Sequence, residues 1–277
     1  MALFDGWEND IVLVSTVESE LYALDLHNAR LLWRNSADTL DGTIQEITIG
    51  YDGRAYGINN NGWLYVLDPY SGEIIARIDI GEFEGIKLVP TVTEIAIYLA
   101  GENNLRAYDL STYDLAWIAE TRGLVTTPIV AAEPWSVLLA GTENGYLQAF
   151  SMLTGEIVWE EFIGRSITGL AYDWENIYIT AEEGLIVVWD GWSEEVTWTL
   201  DLETIINSGP VALGGYFYIG TENNQVRIFD VNSREEIEGI YYDDLLSYTP
   251  IPLGGWFFLR NDYAVAAFGP GELPSDE

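Results

Sequence analysis

The chain contains no cysteine, one histidine (His27) and one lysine (Lys87). Without thiols, disulfides, thiolate metal sites and a cysteine nucleophile are all excluded. A single histidine rules out a His-based metal cluster. His27 falls in a turn where other copies of an internal repeat carry Ser, Asn or Tyr, so it reads as a solvated turn residue rather than the base of a serine hydrolase triad. Basic residues are scarce altogether: 11 Lys and Arg stand against 45 Asp and Glu, a formal net charge of -34. A field of that sign repels phosphate backbones and anionic lipid, so no nucleic-acid partner is expected. The carboxylate excess would suit a high-salt milieu. No segment approaches the roughly 20 apolar residues of a membrane span, and the opening MALFDGWEND lacks a basic region followed by an apolar core. The expectation is a soluble chain, with a weak lean to an extracytoplasmic location from the family resemblance below. No stretch of a dozen residues holds a 3.6-residue apolar period with caps, so helix is not expected. With no helix to open, no glycine-rich phosphate cradle exists, and no D-x-[DN]-x-[DN]-G loop is present. No cofactor is expected, and the residue inventory leaves only oxygen-ligand ions such as calcium.

What is present is repetition. Placing the residue after each short apolar run in register aligns YALD at Asp25, YVLD at Asp68, RAYD at Asp109, QAFS at Ser151, VVWD at Asp190, RIFD at Asp230 and AAFG at Gly269. Copies recur every 39 to 43 residues. Four positions before each anchor stands Leu21, Leu64, Leu105, Leu147, Ile186, Val226 or Val265. Eight positions after it comes Trp33, Trp117, Trp159 or Trp198, with Ala76 and Glu238 as departures. Upstream runs such as IAIYLAG, SVLLAGT and YFYIGTE are short, β-branched and aromatic, and Asn/Gly-rich turns join them to the anchor strand. An earlier strand is marked by Pro90, Pro128, Pro210 and Pro250. Four antiparallel strands per repeat make a propeller blade. The expected fold is therefore all-β: one seven-bladed β-propeller over residues 1–268, followed by a Pro/Gly-containing acidic tail at 269–277. Asp25, Asp68, Asp109, Asp190, Asp230 and the four Trp are its structural repeat elements.

The stretches LYALD…W at 21–33 and YLQAFSMLTGEIVW at 146–159 resemble the quinoprotein-type (PQQ-like) β-propeller repeat. WD40 is the second choice, weakened because one histidine cannot supply its Gly-His pairs. In the quinoprotein-type family the small residue two before the anchor, the turn glycine and the Trp form an interlock between blades. The resemblance implies such an interlock for Ala23, Ala107, Ala149, Gly72, Gly155 and the four Trp. Catalytic members carry eight blades, many with a vicinal Cys pair, and none is possible here, so PQQ is not expected. Non-catalytic members work by presenting loops to other proteins.

Surface residues sort by face through the repeat register. Acidic hairpin tips, among them Glu18, Glu102, Glu143 and Glu222, mark one face, where Lys87, Arg122 and Arg165 form a sparse basic arc. On the other face successive turns place Trp7, Tyr51, Trp135, Trp174, Tyr216 and Trp256, and a further turn adds Trp192. If exposed they form an amphipathic ring; the competing expectation is that several fold inward between blades. Trp and Tyr supply interface hot spots and stack on sugars. The expected function is a non-enzymatic scaffold whose aromatic face meets a protein partner or a second copy. A carbohydrate-binding propeller and a carboxylate-based axial-site hydrolase or lyase stand as alternatives.

Overall fold

The computed structural model describes residues 2–4, 10–16, 18–81, 89–241, 251–253, 256–260 and 265–268. The Lys87, Asp262, Pro250 and Trp7 positions, the last anchor Gly269 and the tail at 269–277 lie outside them. Among the described residues, seven antiparallel sheets follow one another along the chain, six of four strands and the last of three. Each sheet is laid down in sequence order: Ala2–Phe4, Ile11–Ser15, Leu21–Asp25 and Leu31–Asn35 form the first, and Ile251–Leu253, Trp256–Arg260 and Val265–Phe268 the last. The seven sheets correspond to the seven copies. Helix is confined among the described residues to the single turn Ala37–Leu40 and two 3-10 turns, Glu133–Trp135 and Glu182–Gly184. The first of these is a small departure from the all-strand expectation.

The chain divides into two compact units, one of Met1–Ala131 with Phe150–Ile157, the other of Ala132–Ala149 with Val158–Glu277. In the first unit, Ile11, Leu13, Leu21 and Tyr65 belong to a core between the first two sheets, and Tyr56, Leu64, Ile97 and Tyr108 to one between the second and third. In the second, Tyr178, Ile186, Phe217 and Phe229 fill the space between the fifth and sixth sheets. Covered on both faces, inner strands such as Ala55–Asn59, Ala96–Ala100 and Val137–Gly141 are buried throughout, which is why Ala96–Ala100 and Val137–Gly141 read as runs without polar alternation. The fourth strand of the second sheet, Ile74–Asp79, alternates instead.

The repeat positions acquire physical roles. Leu21, Leu64, Leu105, Leu147, Ile186 and Val226 are fully buried. Pro90, Pro128 and Pro210 stand just ahead of the first strands Thr91–Val92, Val130–Ala132 and Val211–Leu213 rather than inside them, where a missing N–H costs no ladder bond. Hairpins between second and third strands turn through left-handed residues: Ser19, Gly62, Gly145, Glu183 and Asn224 all have positive φ.

Candidate aromatic interface

The anchor aspartate organises the turn that carries the aromatic residues. Asp68 Oδ1 accepts the backbone N–H groups of Tyr70 and Ser71 at 2.8 and 2.9 Å, and Asp190 those of Trp192 and Ser193, both at 2.8 Å. Asp25, Asp109 and Asp230 do the same two and three residues on. These amides hold the carboxyls of Asp109, Asp190 and Asp230 below the usual carboxylate range, with the Ser111 hydroxyl foremost at Asp109. The fourth residue after each described anchor is left-handed: Ala29, Gly72, Tyr113, Gly155, Glu194 and Arg234 have φ between 55° and 73°. Its N–H returns to the anchor carbonyl at 2.8 to 3.0 Å in every case. A register shift sets the eight-residue Trp spacing. Leu24 pairs with Leu31 but Ala23 with Trp33, and Ala107 likewise faces Trp117.

Where that left-handed residue is glycine, the preceding repeat's Trp closes over it. The Trp33 indole lies so close to Gly72 that an added Cβ would sit 2.6 Å from the ring, and its Nε1–H donates to the Pro69 carbonyl at 2.8 Å. Trp117 covers Gly155 in the same way and donates to the Met152 carbonyl at 3.3 Å. Where glycine is replaced, the contacts recorded for the indole are with the aromatic residue just before the next anchor. Trp159 stacks on Trp189 at 5.6 Å, and Trp198 meets Phe229 edge-on at 5.8 Å.

The aromatic turn residues divide by their neighbours. Trp135, for which both an exposed and an inward-folded position were open, is half-buried: it lies over Gly191, leaving no room for a Cβ there. Its ring meets Trp192 at 6.1 Å and Tyr172 at 6.0 Å, both edge-on. Trp174 occupies the same turn one repeat later, where the place of Gly191 is taken by Val231, and it is 77% exposed. Trp192 is 65% exposed and donates its Nε1–H to the Trp174 carbonyl at 2.9 Å. Trp135, Trp174 and Trp192 therefore form one patch in the second unit. Tyr51 is exposed in the first unit, and Tyr216 is partly exposed in the second. The side chains of Trp7 and Trp256 lie outside the described residues.

Other candidates are placed by their partners. His27 is exposed and pairs with Asp10, Nε2 to Oδ2 at 3.2 Å. Arg165 is no free member of a basic arc: Asp201 at 3.0 Å and Glu183 at 3.7 Å face it at the edge of a cavity of about 360 Å³. Among the described residues no group of three or more His, Asp or Glu is placed to hold a metal ion, and no helix is long and apolar enough to cross a membrane.

Two pairs escaped the sequence reading. The buried Tyr56 donates its hydroxyl to Asp52 at 2.8 Å and the buried Tyr178 donates to Asp173 at 2.6 Å, each in the turn ahead of the second strand. Burial, with the facing carboxylate second, pushes both phenols far above their ordinary value. The signal was available: an aspartate four or five residues before a tyrosine, once as DGRAY and once as DWENIY.

The PQQ-repeat family described as outer membrane protein assembly factor BamB matches residues 17–166 and 143–237. The outer membrane protein assembly factor BamB of Legionella pneumophila is 24% identical over 191 residues, 64% of this chain and 48% of that protein. A quinoprotein ethanol dehydrogenase of Pseudomonas putida is 29% identical over 122 residues, which cover 42% of this chain and 18% of the enzyme. The chain thus spans about half, or less, of the curated relatives it matches. Among solved structures, BamB from Moraxella catarrhalis superposes with a TM-score of 0.75 at 18% identity, covering 96% of this chain and 82% of that one. The computationally designed Ika8 protein superposes with a TM-score of 0.71 at 11% identity, covering 97% and 95%. At these identities the structural likeness establishes the fold, an all-β propeller of four-stranded antiparallel blades.

Proposed function

The chain belongs to the PQQ-repeat family described as outer membrane protein assembly factor BamB, and from that premise we propose that it is a non-enzymatic scaffold for protein assembly outside the cytoplasm. The exposed Trp174–Trp192 pair is its contact surface. That pair is the single observation on which the reading rests. Two indoles stand largely in water on turns braced by an aspartate: Asp173 accepts the Glu175 and Asn176 amides, and Asp190 those of Trp192 and Ser193. A rigid turn loses little side-chain freedom on binding, and a large flat ring excludes water from the partner over a wide area. Exposed aromatics clustered in this way mark interaction surfaces more often than scattered single ones. Loop presentation, rather than turnover, is the use this arrangement suits.

The test is a photo-crosslinking amino acid at position 192 in the native host. The reading expects crosslinks to a component of envelope protein assembly, reduced at least tenfold by Trp174→Ala. Crosslinks only to a second copy of the chain would replace the scaffold reading with self-association. No crosslink at all from a folded, correctly located protein would end it.

A further inference from the structure

A groove of about 230 Å³ opens between the fifth and sixth sheets, lined by Glu175, the residue after Trp174, and the repeat comparison explains why it is open. At two other junctions the space beside the third turn is closed by the interlock, with Trp33 over Gly72 and Trp117 over Gly155. At the junction of the fourth and fifth sheets, Trp135 lies over Gly191. Here both closures are blocked by substitution. Arg234 stands where the interlock needs glycine, and its φ of 62° keeps the turn while its side chain denies the indole a seat. Val231 stands where Gly191 admitted Trp135, and Trp174 turns out to solvent. Trp198 is left lining the groove, and among the described residues nothing accepts a hydrogen bond from its indole N–H.

The groove wall is apolar at Val188, Val231 and the Trp198 ring, and the mouth carries Glu175, Asp190, Asn176 and Asn232. We propose that this vacated interlock is a socket for one arginine side chain of the partner that docks on Trp174 and Trp192, a reading that rests on the function proposed above. The acceptors at the mouth outnumber its one cation, Arg234, and the whole chain carries -34. An anionic side chain is repelled there, and a neutral sugar gains nothing from the charge. Arginine is preferred to lysine because a planar guanidinium stacks on the Trp198 indole while its fork donates to a carboxylate. The volume suits a single side chain rather than a folded element.

The socket is tested with small probes on the full chain, so the result does not depend on any partner. Nα-acetyl-arginine methylamide is titrated while the Trp198 indole N–H signal is followed by NMR, with the leucine, glutamate and lysine analogues and methyl α-glucopyranoside as comparisons. The proposal expects a saturable shift with the arginine probe, several-fold weaker with lysine and absent with leucine and glutamate. Glu175→Gln should weaken binding at least threefold. Arg234→Gly should abolish it by letting Trp198 close over the turn, and urea unfolding confirms that this variant is folded. An equal or stronger response to the glucoside makes the groove a sugar site and overturns the proposal. So does the absence of any shift with the arginine probe at about ten times a millimolar dissociation constant. Failure here leaves the crosslinking result at position 192 standing, and failure there leaves this titration standing.

Discussion

The Trp-over-Gly closure yields a sharp stability prediction at Gly155. Replacement by alanine has two costs that can be separated. The first is backbone: φ is +72°, and an L-residue in the left-handed region costs about 1–2 kcal/mol. The second is contact: the new Cβ would sit 2.5 Å from the Trp117 ring. Since real Cβ atoms do not approach so closely, the indole must move, with an overpacking cost of about 1–3 kcal/mol. That movement also lengthens the Nε1–H bond to the Met152 carbonyl, whose net worth is about 0.5–1.5 kcal/mol. The total is about 2.5–6.5 kcal/mol. Gly164 supplies the control, because its φ is also positive at +92° and nothing lies within 4 Å of its would-be Cβ. Gly164→Ala should therefore show the backbone cost alone, about 1–2 kcal/mol. The assay is urea unfolding followed by tryptophan fluorescence and far-ultraviolet circular dichroism, reading the midpoint at unchanged slope. Equal losses at the two glycines would show that the Trp117 ring adapts freely and that the interlock is not a close-packed contact, which would refute the reasoning.

Three further outcomes are expected. The carboxyls of Asp109, Asp190 and Asp230 are depressed in the folded state, so the stability they supply is present above the ordinary Asp value, about 3.9, and is lost as pH falls through the folded value. A triple Asp→Asn variant should lose less stability than the parent between pH 5 and pH 2 in urea titrations, and an unchanged pH slope would contradict the turn geometry. Tyr178→Phe leaves Asp173 without its buried donor and should cost about 1–3 kcal/mol. Because the phenol's folded value is raised, its contribution is present below the unfolded value of about 10 and is lost as pH rises through the folded one. The parent should accordingly lose more stability than Tyr178→Phe on going to pH 12 in the same assay. Finally, a net charge of -34 makes compactness costly at low ionic strength. Thermal unfolding should shift upward by several degrees from 10 mM to 1 M KCl, as the screening length falls from about 30 Å to about 3 Å. A flat response would mean that the carboxylates are spaced widely enough to ignore one another.

Much of the fold was legible because burial in a repeat architecture is periodic. The position four before the anchor is fully buried in six copies and apolar in each, so Leu21, Leu64, Leu105, Leu147, Ile186 and Val226 announce themselves at a fixed distance from the anchor. The anchor Asp is equally visible, since an acceptor for two turn amides is needed wherever the turn recurs. The Asp52–Tyr56 and Asp173–Tyr178 pairs were missed because they recur in two copies only and so raise no periodic signal.

The aromatic surface was legible only in part. Trp135 and Trp174 occupy the same turn of successive repeats, and by local sequence they are interchangeable. One is half-buried and the other exposed because the next repeat offers Gly191 to the first and Val231 to the second, across about 57 residues of chain. By itself the sequence determined the seven copies, the strands within each, and the anchor, turn and Trp positions, since all of these follow from hydrogen-bonding and burial needs that recur in every repeat. The tertiary structure alone decided which indoles close over a neighbour, which face water and where a groove is left open. Those outcomes turn on whether a single Cβ fits between two side chains that only folding brings together.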